Sequence, residues 1–329
     1  MRRWRIAAAS VGAGVAAIGV LALIRLPSAE PRGADEQAAV AAVDGDDPFA
    51  GEQAVTTVDR YMEALLSADL AATIDSERLA DLFRTALSVS DGRDQRLDSV
   101  ASAVSREGVI HSPGLPVALA EVVADEVSWV DDRVNAELNG GDGSAVGGAA
   151  DLYAVHDLLR EILRDEAAAE VVWRGLDDYG ATALADAPAE GPERDARLAE
   201  LGSVYEVMAM AQRNAEEGAA VLEGDADAID AAIEAHGQRR ADWRVRIAMW
   251  IARDRLESDQ AVRDAARGHS FIGSDGEVVP EPRGDVLEEF GEWANSLTGP
   301  GGTLRGDWNA IAAGIGDIDF GPVSLVGRF

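Results

Sequence analysis

Cysteine is absent from all 329 residues, so no disulfide can staple the chain and no thiol can serve as nucleophile or metal ligand. Lysine is absent too. Every one of the 29 basic residues is arginine, set against 60 acids for a formal net charge of −31. That balance argues against nucleic acid as a partner, because phosphate binding needs clustered cations, and it opposes close adsorption on an anionic lipid face. Sustained strand-like alternation is missing, as is any fixed-period repeat, which leaves helices as the material of the fold. Signature motifs are missing as well: no P-loop, dinucleotide fingerprint, GxSxG, SxxK or HExxH occurs, so no catalytic, cofactor-binding or metal-ligating residue is assigned. Stability has to come from a hydrophobic core, for which the chain is long enough.

What is present begins with "MRRWRIAAASVGAGVAAIGVLALIRLPSAE". From Ile6 to Ile24 no side chain is charged, and at about 1.5 Å per residue the run makes a helix of roughly 28 Å, close to the hydrocarbon thickness of a bilayer. Arg2, Arg3 and Arg5 precede it and only Arg25 directly follows. The positive-inside rule then predicts a cytoplasmic stub at 1–5, a transmembrane signal anchor at 6–26 in the plasma membrane, and an extracytoplasmic remainder. The alternative is a cleaved signal and secretion. Its cleavage candidates, "LPS" and "PSA", set Pro27 at or beside the critical position, so the uncleaved anchor is favoured. Residues 27–50 carry Pro, Gly and acids with no sustained apolar face and read as a flexible acidic linker.

From 51 to 298 the pattern is helical. Val55, Val58, Met62, Leu65 and Leu66 recur at three- and four-residue steps, as do Leu79, Leu82, Phe83 and Leu87, then Leu97, Val100 and Val104. One longer helix is predicted from Pro116 through Leu119, Val122, Val123, Val127, Val130, Val134 and Leu138. The "NGGDGSAVGG" stretch at 139–148 stops it and is the best internal sub-boundary. Leu152, Val155, Leu159, Ile162 and Leu163 mark the next helix, followed by Val172, Leu176 and Tyr179. Leu198, Leu201, Val204, Tyr205, Met208 and Leu222 mark a long one after Pro188 to Pro192. Asp225, Asp227 and Asp230 suit the start of another, carrying Ile229, Ile233, Ile247, Trp250 and Ile251, with a break expected at Gly237. Val286, Leu287, Phe290, Trp293 and Leu297 form a last amphipathic stripe. Residues 299–329 are glycine-rich without helical period and read as a tail, either extended along the bundle or disordered, with Trp308, Phe320 and Phe329 favouring some docking. The fold class is all-α: an amphipathic multi-helix bundle after a transmembrane helix, with a glycine-rich tail.

Four phrases, "GVIHSPGLPVALAEVVADEVSWVDDRVNAEL", "DLYAVHDLLREILRDEAAAEVVWRGLDDY", "LGSVYEVMAMAQRNA" and "IDAAIEAHGQRRADWRVRIAMW", together resemble an actinobacterial secreted all-helical domain of unknown function, of the kind linked to WXG-type, type VII secretion-associated proteins. The resemblance covers about 52–250. It implies an all-α extracytoplasmic module for scaffolding or interaction in the envelope or the secretion apparatus, and lends no activity. This chain departs from those relatives in carrying its own amino-terminal anchor, which points to the general secretory route.

Candidate chemistry is thin. His111, His156, His236 and His269 lie in separate segments without ligand spacing. Asp44, Asp46 and Asp47 offer oxygens to a hard cation, but the EF-hand pattern is absent and they read as solvated spacer, as does Asp142. Ser270, Ser274 and Asp275 near His269 form a local group, with no triad motif behind them. Trp173 and Trp250 are expected in the core, while Trp308 in the tail is the one to watch as a partner contact. Arg239, Arg240, Arg244 and Arg246 around Trp243 make the sole basic cluster and are expected to pair with acids of the same chain. The expected function is a membrane-anchored interaction or structural module of the cell envelope or secretion. The alternatives are a cell-envelope hydrolase with unidentified acidic catalytic residues and a secreted toxin-associated module.

Overall fold

The apolar steps at three and four residues do wind into helices whose stripes mostly face inward, Ile233 and Leu287 being exposed exceptions. The computed structural model describes residues 75–317 apart from 108–109, 111, 113, 139–151, 225, 275–277 and 280–282, together with Val58 and Leu66. Among the described residues there are eleven helices and no strand: α1 (Ser76–Ser88), α2 (Arg93–Glu107), α3 (Leu115–Asp125), α4 (Val127–Leu138), α5 (Leu152–Ile162), α6 (Glu166–Ala185), α7 (Pro192–Glu223), α8 (Ala226–Ser258), α9 (Gln260–Ala266), α10 (Asp285–Thr298) and α11 (Arg305–Asp317). Their starts follow local chemistry. Asp75 caps α1 by accepting from the Arg78 N–H at 3.0 Å, and Asp165 caps α6 by accepting from the Ala168 N–H at 3.0 Å. Pro116 and Pro192 sit in the first turns of α3 and α7, where a missing N–H costs nothing.

Every residue of the first two fully described stripes, Leu79, Leu82, Phe83 and Leu87 with Leu97, Val100 and Val104, is buried, and so are Val58 and Leu66. All belong to one apolar cluster to which helices before 139 and after 151 both contribute. α2 packs on α5 and α3 on α6, while α7 occupies the centre against α4, α5, α6, α8 and α11. The expected glycine-rich sub-boundary at 139–148 lies outside the described residues, as do the expected anchor (6–26) and linker (27–50). Among the described residues no helix is long and apolar enough to cross a membrane.

Three expectations are corrected. The single helix from Pro116 to Leu138 is two, because Glu126 leaves the helical region at φ −125°, ψ 42° and its N–H is shared between the Val122 and Val123 carbonyls. The apolar residues there (Val122, Val123, Val127, Trp129 and Val130, all buried) cover more than one side of a straight helix, and the kink lets both halves face the core. Arg93 of α2 holds the Glu126 carboxylate at the corner. Second, α8 runs its 33 residues without a break at Gly237, which faces open space. One exposed glycine costs a helix only about 1 kcal/mol.

Third, the expected tail contains a helix. Arg305–Asp317 is α11, laid along α7 in the most extensive helix pairing among the described residues. A Cβ built on Gly202 of α7 would overlap the Ile311 carbonyl, and one built on Gly314 of α11 would overlap the Ala199 carbonyl. The glycines that argued against a helix are what allow two backbones to touch. Ser203 Oγ reaches the Gly314 carbonyl at 3.2 Å at the same crossing.

Candidate functional site

Two regions concentrate chemistry: a set of buried ion clusters around α7, and a histidine–carboxylate pair near the start of α10. At the amino-terminal end of α7, Arg194 is 2% exposed and donates to Asp254 at 2.7 Å and to Asp307 at 3.0 Å. Arg255 grips the same Asp307 with two bonds of 2.8 and 2.9 Å. The spare guanidinium nitrogens satisfy the Pro188 and Ala189 carbonyls at 3.2 and 2.7 Å, so this cluster also fixes the turn between α6 and α7. Burial alone would raise the Asp307 pKa, but the bonds from Arg255 and Arg194 hold it below the ordinary carboxylate value.

Similar knots join other seams. Asp98 of α2 accepts from Trp129 Nε1 at 3.0 Å and from the Arg133 fork at 2.9 and 2.7 Å. Asp131 of α4 takes the Tyr179 hydroxyl and, at 2.7 Å, Arg197, whose other arm donates to the Tyr179 oxygen at 2.8 Å. Burial and that aspartate push the Tyr179 pKa up, so the phenol stays protonated. Between α2, α5 and α7, Ser105 Oγ donates to Asp157 at 2.7 Å and Asn214 donates to His156 Nε2 at 3.0 Å. Buried His156 is thus a packing histidine whose ring is held by an amide.

The tryptophans split between core and seam. Trp173, Tyr205, Trp243 and Trp250 form one aromatic cluster with centroid separations of 4.7 Å (Trp173–Trp243), 4.9 Å (Tyr205–Trp243) and 5.4 Å (Trp243–Trp250), a packed set of tilted and edge contacts. Three of the four arginines around it are engaged within the chain. Arg239 pairs with Glu216, Arg246 with Asp177 at 2.6 Å, and Arg244 stacks 5.0 Å from the ring of Trp308. Trp308 therefore seats α11 on α8 instead of standing free for a partner. Packed beside Tyr205, Glu206 is 8% exposed and its Oε2 has no hydrogen-bond partner. Burial raises its pKa against the pull of Arg240 and Arg213. An acid whose folded-state pKa is raised favours the fold below its ordinary value and weakens it as pH climbs through the raised one. Glu206→Gln is expected to raise the melting temperature at pH 8 and to leave it unchanged at pH 4, read by thermal denaturation.

Among the described residues, the second region brings another sequence candidate, His269, against a carboxylate, as His156 lies against Asp157 in the first. After α9 the chain turns so that His269 stacks on Phe271 at 5.0 Å, above Phe290 and Trp293. His269 Nδ1 donates to Glu289 Oε1 at 2.7 Å, which orients the imidazole ring. Ser270 closes on the other oxygen, with its N–H at 3.2 Å and its hydroxyl also donating to Glu289 Oε2. These bonds, from Ser270 and then His269, hold the carboxyl below its usual range. The serine proton is directed to the carboxylate and away from the imidazole, so a nucleophilic relay is not assembled. Ser274 is exposed nearby.

His236 lies apart on α8, its pKa lowered to about 4 by burial and by Arg213, Arg240 and Arg239. His111, Asp44, Asp46, Asp47, Asp142 and Asp275 fall outside the described residues. Among the described residues no group of three or more histidines and acids is placed to hold a metal ion. Sequence reasoning missed Glu289, Glu206 and the Arg194–Asp307 clamp. Only Glu289 had a signal, its position one residue before the Phe290 stripe.

Comparison with known proteins adds nothing to this geometry: no family model, no curated protein and no solved structure matches the chain.

Proposed function

We propose that this chain is a membrane-anchored, extracytoplasmic helical protein that works as an interaction or structural module of the cell envelope or a secretion apparatus. One observation carries the reading. The carboxyl-terminal end of α7 and the first half of α8 form a hairpin that leaves the apolar core, whose α8 members begin only at Trp243, and carries Val221 and Ile233 exposed at 38% and 47%. Such an arm is costly for solubility and useful for contact. The uncharged run at 6–24 with arginines before it supports the anchor, and the likeness of four segments to actinobacterial secreted helical domains supports the setting.

The chain's lack of cysteine makes the location directly testable. A Ser274→Cys variant of the full chain, expressed in its own cell type, is expected to react with a membrane-impermeant maleimide on intact cells and to sediment with membranes. Labelling only after lysis would overturn the reading.

The hydrolase reading has the His269–Glu289 pair on its side, an imidazole oriented by a carboxylate. It requires turnover of peptidoglycan fragments, esters or phosphates that Glu289→Gln or His269→Ala lowers by about 10²–10⁴-fold. Our reading expects the full-length chain to show no turnover that depends on these two residues.

A further inference from the structure

The seam between α7 and α11 holds a carboxyl group that packing alone does not call for. Contacts between the two helices advance in the same direction along both, from Arg194 with Asp307 to Gly202 with Ile311 and Ser203 with Gly314. The helices are therefore parallel, and the last turn of α11, which ends at Asp317, lies over the turn of α7 that follows Ser203. At about 100° per residue, Ala199, Gly202, Ser203 and Glu206 share one strip of α7 roughly 100° wide. The first three of them meet Ile311 or Gly314. Glu206 thus stands in the strip that carries α11, at the level where α11 ends, and a helical side chain leans back toward the amino terminus, under that last turn.

A helix ends in carbonyls without intrahelical donors and in partial negative charge. Ser203 Oγ serves the Gly314 carbonyl. Glu206 is buried beside this end and its Oε2 has no hydrogen-bond partner. As a neutral acid it brings a donor to the carbonyls; as a carboxylate it brings them a second negative charge. Burial opposes that charge, and the cations that favour it are Arg240 and Arg213. Arg213, two turns farther along α7, is held by Glu217 at 2.6 Å. Arg240 of α8 is exposed and makes no ion pair or hydrogen bond among the described residues. The other neighbours are spent: Tyr205 stays protonated, Arg239 is paired with Glu216, and His236 is neutral near physiological pH. On α11 the described ionisable side chains, Arg305 and Asp307, lie at the opposite end, and among the described residues no charge of α4, α5 or α6 acts on Glu206.

We propose that Glu206 is a proton-operated latch for the carboxyl-terminal turn of α11: the neutral acid stays beneath the turn and seats it, whereas the carboxylate swings toward Arg240 and lets the turn lift. A buried carboxylate without a partner is costly, and the free guanidinium offers it a charge-assisted bond at the surface. The neutral form is the buried one. The seated state is therefore favoured at acidic pH and lost as pH rises through the raised value of the seated acid. Release is confined to the last turns of α11, because Asp307 remains gripped by Arg194 and Arg255 at the other end. The latch needs neither membrane nor partner, and so goes beyond the interaction reading.

The test uses the purified full-length chain in detergent micelles, with amide hydrogen exchange read by mass spectrometry at pH 4 and pH 8 and corrected for the chemical exchange rate. Protection of the peptide that covers the last turns of α11 is expected to fall by about threefold or more at the higher pH, while α1 keeps its own. Glu206→Gln, neutral at both values, should hold the acidic level of protection at pH 8. Arg240→Gln, at an exposed position, removes the partner of the carboxylate and should move the loss to higher pH. Protection of α11 that does not change with pH, a change that Glu206→Gln leaves in place, an equal loss in α1, or an Arg240→Gln profile identical to wild type would each overturn the proposal.

Discussion

Gly314→Ala is expected to destabilise the bundle by about 2 kcal/mol, the opposite of what a helix-propensity scale forecasts. In an open helix the exchange gains roughly 0.5–1 kcal/mol, because glycine loses more backbone freedom on folding than alanine does. At position 314 the added methyl would enter the Ala199 carbonyl of α7, a backbone group that cannot rotate away. The two helices must separate, and overpacking of this kind costs about 1–3 kcal/mol or more. Separation would also strain the Ser203 contact to the Gly314 carbonyl and the packing of buried Ile311. Gly237→Ala in α8 is the matched control. Its methyl meets nothing within 4 Å, so a gain of about 0.5–1 kcal/mol is expected. Thermal and urea denaturation of the full-length chain, followed by circular dichroism, should place the two variants on opposite sides of the wild type. Shifts of the same sign would refute the close-approach account of α11.

Asp307→Ala is expected to cost more, about 3–5 kcal/mol. The substitution strips Arg194, at 2% exposure, of one of its two carboxylates and Arg255 of both its short bonds to Asp307. Two guanidinium groups would then share Asp254 and two backbone carbonyls, and an under-compensated buried charge is what makes such losses large. A fall of the melting temperature on the order of 10 °C corresponds to this range for a domain of this size. The pH dependence has a definite sign. Asp307 is held below its ordinary value of 3.8, so it contributes its full stability above that value and loses it as pH falls further. Wild type and variant should therefore converge as the pH falls below the ordinary carboxylate value. A gap that stays constant down to that acidity, or one that never opens at neutral pH, would show the clamp to be incidental.

Much of the helical framework was legible because it is written locally. Leu79, Leu82, Phe83 and Leu87 repeat at helical spacing, and any compact arrangement of α1 has to bury that stripe. Asp75, Asp165 and the prolines at 116 and 192 act within one turn of where they stand. The kink at Glu126 was less visible, since a run such as "VVADEVSWV" satisfies a helical period on any of several faces until neighbours select one. In the candidate site almost nothing was legible beyond His269 and Ser270. Glu289 lies 20 residues from His269 and is one of 60 acids, and Arg194 finds Asp307 across 113 residues. One carboxylate looks like another until the chain is folded.

Sequence alone determined an all-helical chain with arginine as its only strong cation, no thiol, a large acidic excess and an uncharged run long enough for a bilayer. These are properties of composition and of spacing within a few turns, where 3.6-residue periodicity and burial of apolar stripes leave little choice. Tertiary structure alone decided that glycines 202 and 314 join two helices instead of ending one, that Trp308 lies under Arg244, and that Ile233 stands exposed. Each depends on what stands opposite, and opposition is set by long-range packing that no window along the chain contains.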